Sequence, residues 1–230
     1  MGLRSGLHQE ITPMGENMYQ VQRTGRFKGS MTSNIALAVE ASKLYEEITG
    51  APLAAWIASA GMPTGTLGWS SLFETLDELA TRNGQILASA KWGKLEDKGA
   101  INATDWGVDQ IAQVIVWPET TGPTAPVGSQ VLQSLVRANQ GADPMEMLQW
   151  ATRMAEVAGR VSGASSGLSQ FGFGPDWGAY SFTSLFTDSA ALDAGMAKNM
   201  ASAEYLGVFM EGRKYVDMSS MRRVMFAKLA

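Results

Sequence analysis

The chain has 230 residues, 45% of them hydrophobic, a formal net charge of -4 and no cysteine. That length accommodates one large or two small domains with a proper core, and the missing thiols exclude disulfide frameworks, Cys-ligated zinc and cysteine nucleophiles. Charges of both signs are scattered, leaving no basic stripe for phosphates and no polybasic anchor, so neither nucleic acid nor a membrane is an expected partner.

The only histidine is His8, in a Gly-rich arm spanning 1–16. His-based triads, His-rich metal sites and a proximal haem histidine all need imidazole inside the fold, so a metal or redox cofactor is not expected. No apolar run approaches about 18 residues and the opening lacks a signal-peptide core, so a cytoplasmic protein is expected.

After the arm, Met18 to Arg23 alternates with period two and is expected to form a strand, with Gln20 and Gln22 on one face and Tyr19 and Val21 on the other. Ser30 to Ile48 has the apolar stripe Ile35, Val39 and Leu44, with Ala38 and Ala41 between them, of a helix that stops at Thr49-Gly50. Strands are expected at 52–59 and 66–73, joined by a turn through Gly61-Met-Pro-Thr-Gly65. Thr75 or the preceding turn caps a second helix carrying Leu76, Leu79, Ile86 and Leu87. The charged stretch 91–109 resists assignment, and Ile111 to Trp117 is apolar enough for a buried strand. The order strand, helix, strand, strand, helix, strand is the split arrangement of ferredoxin-like folds.

The pattern then recurs. Gly65, Ser71 and Ala88 return as Gly178, Ser184 and Ala201, a constant offset of 113 residues, which is what a duplicated unit leaves behind. Val131 to Arg137 is a strand, Asp143-Pro144 starts a helix with the stripe Met147, Trp150, Met154, Val157 and Val161, and Ser162-Gly163 ends it. A hairpin runs through 166–173 and 179–186, a helix begins near Asp188, and Met221 to Leu229 is the closing strand. The expected organisation is an arm at 1–16, a first repeat at 17–118, a linker at 119–129 rich in Pro, Gly and Thr, and a second repeat at 130–230. The bare sheet faces of two such units must be covered by one another or by another chain.

The opening strand Met18-Tyr-Gln-Val-Gln-Arg23, the helix ending Ile48-Thr-Gly50 and the strand running into a helix as Leu67-Gly-Trp-Ser-Ser-Leu-Phe-Glu-Thr-Leu-Asp-Glu-Leu79 resemble the dimeric α+β barrel superfamily, most closely its NIPSNAP-like members. The resemblance implies an α+β chain in which two tandem ferredoxin-like (βαββαβ) repeats stand in for the two subunits of a single-repeat dimer around a sheet-lined barrel. Some members of that superfamily bind haem, including chlorite dismutase-like proteins with two repeats; this chain departs from them in having no histidine in either repeat. Others are cofactor-free monooxygenases, isomerases or cyclases.

Candidate ligand contacts within such a barrel are Gln20 and Gln22, the aromatics Trp56, Trp69, Tyr180 and Phe182, and the strand arginines Arg222 and Arg223. Paired core packing accounts for the aromatics at least as well, and a rim salt bridge for the arginines. The carboxylates Asp105, Asp109, Asp188 and Asp217 read as loop or cap residues. No catalytic residue is assigned. With 14 methionines and only 17% charged residues, apolar surface is left over and a homo-oligomer is expected. The favoured expectation is a self-associating protein of binding or assembly type without cofactor. The alternative is a cofactor-independent monooxygenase, isomerase or cyclase acting on a small hydrophobic or aromatic substrate.

Overall fold

A computed structural model describes residues 18–118 and 120–230. The arm at 1–16, with His8, lies outside the described residues. The first half runs β1 (Tyr19–Phe27), α1 (Met31–Thr49), β2 (Ala54–Ala60), β3 (Thr66–Phe73), α2 (Leu76–Ala88), α3 (Ala90–Asn102), β4 (Ala103–Trp106) and β5 (Gln110–Val116). The second runs β6 (Gln130–Ala138), α4 (Pro144–Ser162), β7 (Ser165–Phe173), β8 (Tyr180–Phe186), α5 (Ser189–Ala201), α6 (Ala203–Glu211) and β9 (Val216–Lys228).

Local chemistry explains the helix ends. Ser30 Oγ accepts from the Ser33 N–H at 3.1 Å to start α1, and Asp143 Oδ1 accepts from Met145 and Glu146 N–H at 2.8 and 3.0 Å to start α4. Both helices end at a glycine in the left-handed region, Gly50 at φ 71° and Gly163 at φ 76°, where a side chain would be strained. Ser89 and Ser202, 113 residues apart, each close one helix and cap the next in extended backbone. The stretch that resisted assignment is therefore mostly helix: α3 and α6 follow α2 and α5 after a one-residue break. Gly93 and Gly99 hide α3 from a propensity reading.

The buried face of α1 shares Ala38 with the expected stripe but otherwise differs from it. Asn34, Leu37, Ala38, Ser42 and Tyr45 point inward, whereas Ile35 and Val39 are only half-buried. Asn34 can be buried because its Nδ2 donates to the Phe27 carbonyl at 3.1 Å.

The strands form one antiparallel sheet in the order β3-β2-β9-β6-β8-β7-β5-β1-β4, and a further β1–β3 pairing closes the first eight into a barrel with β4 appended to β1. Within each half the strands adjoin in the order last, first, third, second. The halves join twice, β2 against β9 and β5 against β7, both antiparallel. Closure leaves no bare sheet face, and the helices cover the outside. Among the described residues the architecture is thus α+β, with one large antiparallel sheet and six α-helices. Among the described residues no helix is long and apolar enough to cross a membrane.

Side chains cross the middle of the barrel. Gln133 Nε2 donates to Gln22 Oε1 at 3.2 Å and to Ser181 Oγ at 2.9 Å, and Gln22 Nε2 donates to Gln20 Oε1 at 3.0 Å. Because β1 and β6 stand opposite one another in the eight-strand ring, this ladder ties the two halves together across the axis. Trp56 Nε1 donates to Ser70 Oγ at 2.9 Å beside it.

The segment between β5 and β6 packs over one end. Ala125 is 4% exposed, and the Lys228 ammonium donates to the Pro123 and Ala125 carbonyls at 2.9 and 2.5 Å.

Candidate functional site

The barrel interior keeps only a cavity of about 100 Å³, lined among others by Gln20, Gln22, Trp56 and Gln133. A larger cavity, about 360 Å³, lies in the first half between the outer face of β1 and β3 and the helices α1, α2 and α3. The same place in the second half, beneath α4, α5 and α6, retains about 70 Å³.

Residues at the 113-residue offset explain the contrast. Leu37 and Ala41 on α1 stand where α4 has Trp150 and Met154, and all four line these spaces. The indole of Trp150 fills the second half: it meets Phe182 edge-on at 5.7 Å, stacks with Tyr215 at 6.1 Å and donates from Nε1 to the Val208 carbonyl at 2.8 Å. Gly212 makes room for it, since a Cβ there would lie 2.3 Å from the Trp150 ring.

Without that indole the first half stays open. Its walls are aromatic, with Phe27 and Trp69 in a perpendicular pair at 6.1 Å and Tyr45 and Trp92 in an edge-on pair inclined at 68° and 6.4 Å apart. Trp69 is held by its Nε1–H bond to the Ala38 carbonyl at 3.3 Å. Arg82 lies over the Phe73 ring at 4.7 Å while pairing with Glu78, which stiffens the end of β3.

Polar groups also face this cavity. Arg23 and Asp109 form a two-pronged ion pair, Nε to Oδ1 and Nη2 to Oδ2, both 2.6 Å. Asn83 of α2 and Glu96 of α3 line the same cavity from its exposed side. Their counterparts at the offset are Met196 and Phe209, both lining the filled space of the second half. The first half therefore combines an apolar, aromatic chamber with a few polar groups, the usual composition of a small-molecule site.

The residues expected from sequence to contact a ligand are divided among five places. Gln20, Gln22 and Trp56 are inside the barrel, and Trp69 lines the first-half cavity. Phe182 and Arg223 line the filled space of the second half. Tyr180 is core, 7% exposed beneath α4, where burial pushes its phenol above the ordinary value and a hydrogen bond with Gln170 opposes that shift. Arg222 pairs with Asp176 at the rim. Asp109, read as a loop carboxylate, does lie in the loop between β4 and β5, and there it is the partner of Arg23. Arg23, Tyr45, Asn83, Trp92 and Glu96 were not singled out, although the substitutions at constant offset mark most of the cavity.

Among the described residues no three His, Cys, Asp or Glu gather as a metal site would require. Haem needs an axial side chain. The one such group lining the first-half cavity is Tyr45, which is 8% exposed and turned against Trp92. The cation that could receive a propionate, Arg23, is already paired with Asp109. The second-half space is too small for a porphyrin, so the described residues do not fit haem.

No family model matches the chain, and no curated protein does. Solved structures do resemble it. A proposed monooxygenase from Fusobacterium nucleatum superposes with a TM-score of 0.68 at 8% identity, covering 94% of each chain. An anthrone oxidase-like protein gives 0.58 at 11% identity, over 93% of this chain and 91% of that one. A haem-binding protein from Thermus thermophilus gives 0.54 at 12% identity, over 93% and 91%. The expectation of a binding or assembly protein is corrected by these comparisons, because the similar structures bear the names of oxygenases and a haem protein. At such identities the likeness establishes the fold, which is that of the dimeric α+β barrel proteins.

Proposed function

We propose that the chain is a cofactor-independent enzyme of the monooxygenase, isomerase or cyclase type, acting on a small hydrophobic or aromatic substrate in the first-half cavity. The observation that carries this reading is the asymmetry between the halves: one helix-covered space is open and furnished with Arg23, Asp109, Asn83 and Glu96, the other is filled by Trp150, Met154, Met196 and Phe209. Aromatic walls orient a flat substrate and exclude water. Free N–H groups of Arg23 and Asn83 can stabilise negative charge that develops on a substrate oxygen once a neighbouring carbon gives its proton to a carboxylate of the same cavity. A carbanion of that kind is electron-rich enough to be oxidised by dioxygen directly, and the chamber's role is to favour its formation.

The names of the neighbours support the oxygenase variant and supply a probe. Anthrone consumes one dioxygen to give anthraquinone and water, its methylene carbon losing two hydrogens and gaining an oxygen. Metal-stripped protein should accelerate oxygen uptake with anthrone above the buffer rate, and Leu37→Trp, which builds the second half's plug into the first, should remove the acceleration. Equal rates with and without protein, or full activity in Leu37→Trp, would overturn the reading.

The finer ancestry belongs to the same proposal. Tandem duplication of one ferredoxin-like unit, with repeats at 17–118 and 130–230 joined by 119–129, accounts for the offset of 113 residues and the matching strand orders. Kinship with NIPSNAP-like proteins is the proposed branch. Self-association is supported by exposed Phe173 and Trp177 on the second hairpin, 55% and 69% exposed. A single-chain mass at micromolar concentration would contradict it.

A further inference from the structure

The charge that the first-half cavity presents to a ligand can be counted from its lining. The cation lining it, Arg23, is neutralised by Asp109 through two 2.6 Å bonds. Glu96 is the other carboxylate in the wall, and among the described residues no cation pairs with it. The lysines of its own helix do not serve: Lys91 pairs with Glu47 of α1, Lys98 pairs with Glu40 at 2.6 Å, and Lys94 lines the outer groove between α1 and α3. Thus α3 turns its basic side outward and Glu96 toward the cavity.

That wall is also aromatic, through Phe27, Tyr45, Trp69, Phe73 and Trp92. Ring faces attract cations, as does a carboxylate. An anionic ligand would meet Glu96, and the Arg23 charge it would seek is already balanced by Asp109. An amine-bearing aromatic can place its rings in the chamber and its ammonium at the exposed edge, where Glu96 and Asn83 stand and desolvation is slight.

Building on the reading of this cavity as the substrate site, we propose that its ligand is a cationic amphiphile, an aromatic compound carrying an ammonium group, and that Glu96 selects it. The second half lacks this selector, Phe209 standing at the offset position.

The test uses three probes that share one ring system: 1-naphthylmethylamine, 1-naphthalenemethanol and 1-naphthoate, titrated against the full chain at pH 7 by tryptophan fluorescence and calorimetry. The ammonium should bind about three- to tenfold tighter than the alcohol, the range expected for one exposed ion pair with ring contacts, and the carboxylate weakest. Glu96→Gln should abolish the preference for the ammonium over the alcohol, and 0.5 M salt should narrow the preference in the wild type, roughly as screening requires. Equal binding of the three probes, tightest binding of naphthoate, or a preference that survives in Glu96→Gln would overturn the proposal while leaving the cavity as a site. Failure of all three to bind would overturn the proposal together with the reading of the cavity.

Discussion

The two halves share strand order, helix caps and a serine break between paired helices, yet under the helices one is hollow and the other solid. Leu37 and Ala41 against Trp150 and Met154 make the difference in volume, and Asn83 and Glu96 against Met196 and Phe209 make the difference in polarity. A packed core gains stability from contact, whereas a hollow one forgoes it and is stable only because the rest of the unit is well tied. In the proposed reading the second half serves as scaffold, tied to the first through β2–β9, β5–β7 and the glutamine ladder.

Ways to break this contrast can be ranked by expected effect. Trp150→Ala removes the plug and its bond to the Val208 carbonyl, and should cost about 3–5 kcal/mol in denaturant unfolding; a loss below about 1 kcal/mol would mean that the second half is not the solid one. Gly212→Ala forces a methyl group against the Trp150 ring and should cost about 1–3 kcal/mol, with relief when combined with Trp150→Leu. Asp143→Ala strips two N–H acceptors from the start of α4 and should cost about 1 kcal/mol, with no effect on binding of a naphthalene probe in the first half.

The smallest effect concerns the seam between the halves. Burial lowers the Lys228 ammonium from its ordinary 10.5. Between that depressed value and 10.5 the unfolded chain binds more protons than the folded one, so stability should rise with pH across that window and level off above it. Lys228→Met should lose the rise; an identical slope in both proteins would remove Lys228 as its source.

Much of the frame was legible because it is local. Ser30, Gly50, Asp143, Pro144 and Gly163 act on neighbours within a turn or two, and the alternation in Met18 to Arg23 correctly separated the inward Gln20 and Gln22 from the outward Val21. The helix α3 was not legible, since Gly93 and Gly99 lower its propensity and tertiary packing of Trp92 and Leu95 restores it. The ion pair of Arg23 and Asp109 spans 86 residues, and no local pattern announces it. Hollowness is harder still to read, because it depends on what several distant side chains fail to fill. The one sequence signal for it was comparative: a tryptophan replaced by leucine and a phenylalanine by glutamate at constant offset.

The most direct measurement is a crystal structure of the protein soaked with 1-naphthalenemethanol. Density for the ring system among Tyr45, Trp69 and Trp92, with none beneath α4, is the predicted result. Density beneath α4 or inside the barrel beside Gln22 and Gln133, or an empty first-half cavity at saturating probe, would contradict the assignment of function to the hollow half.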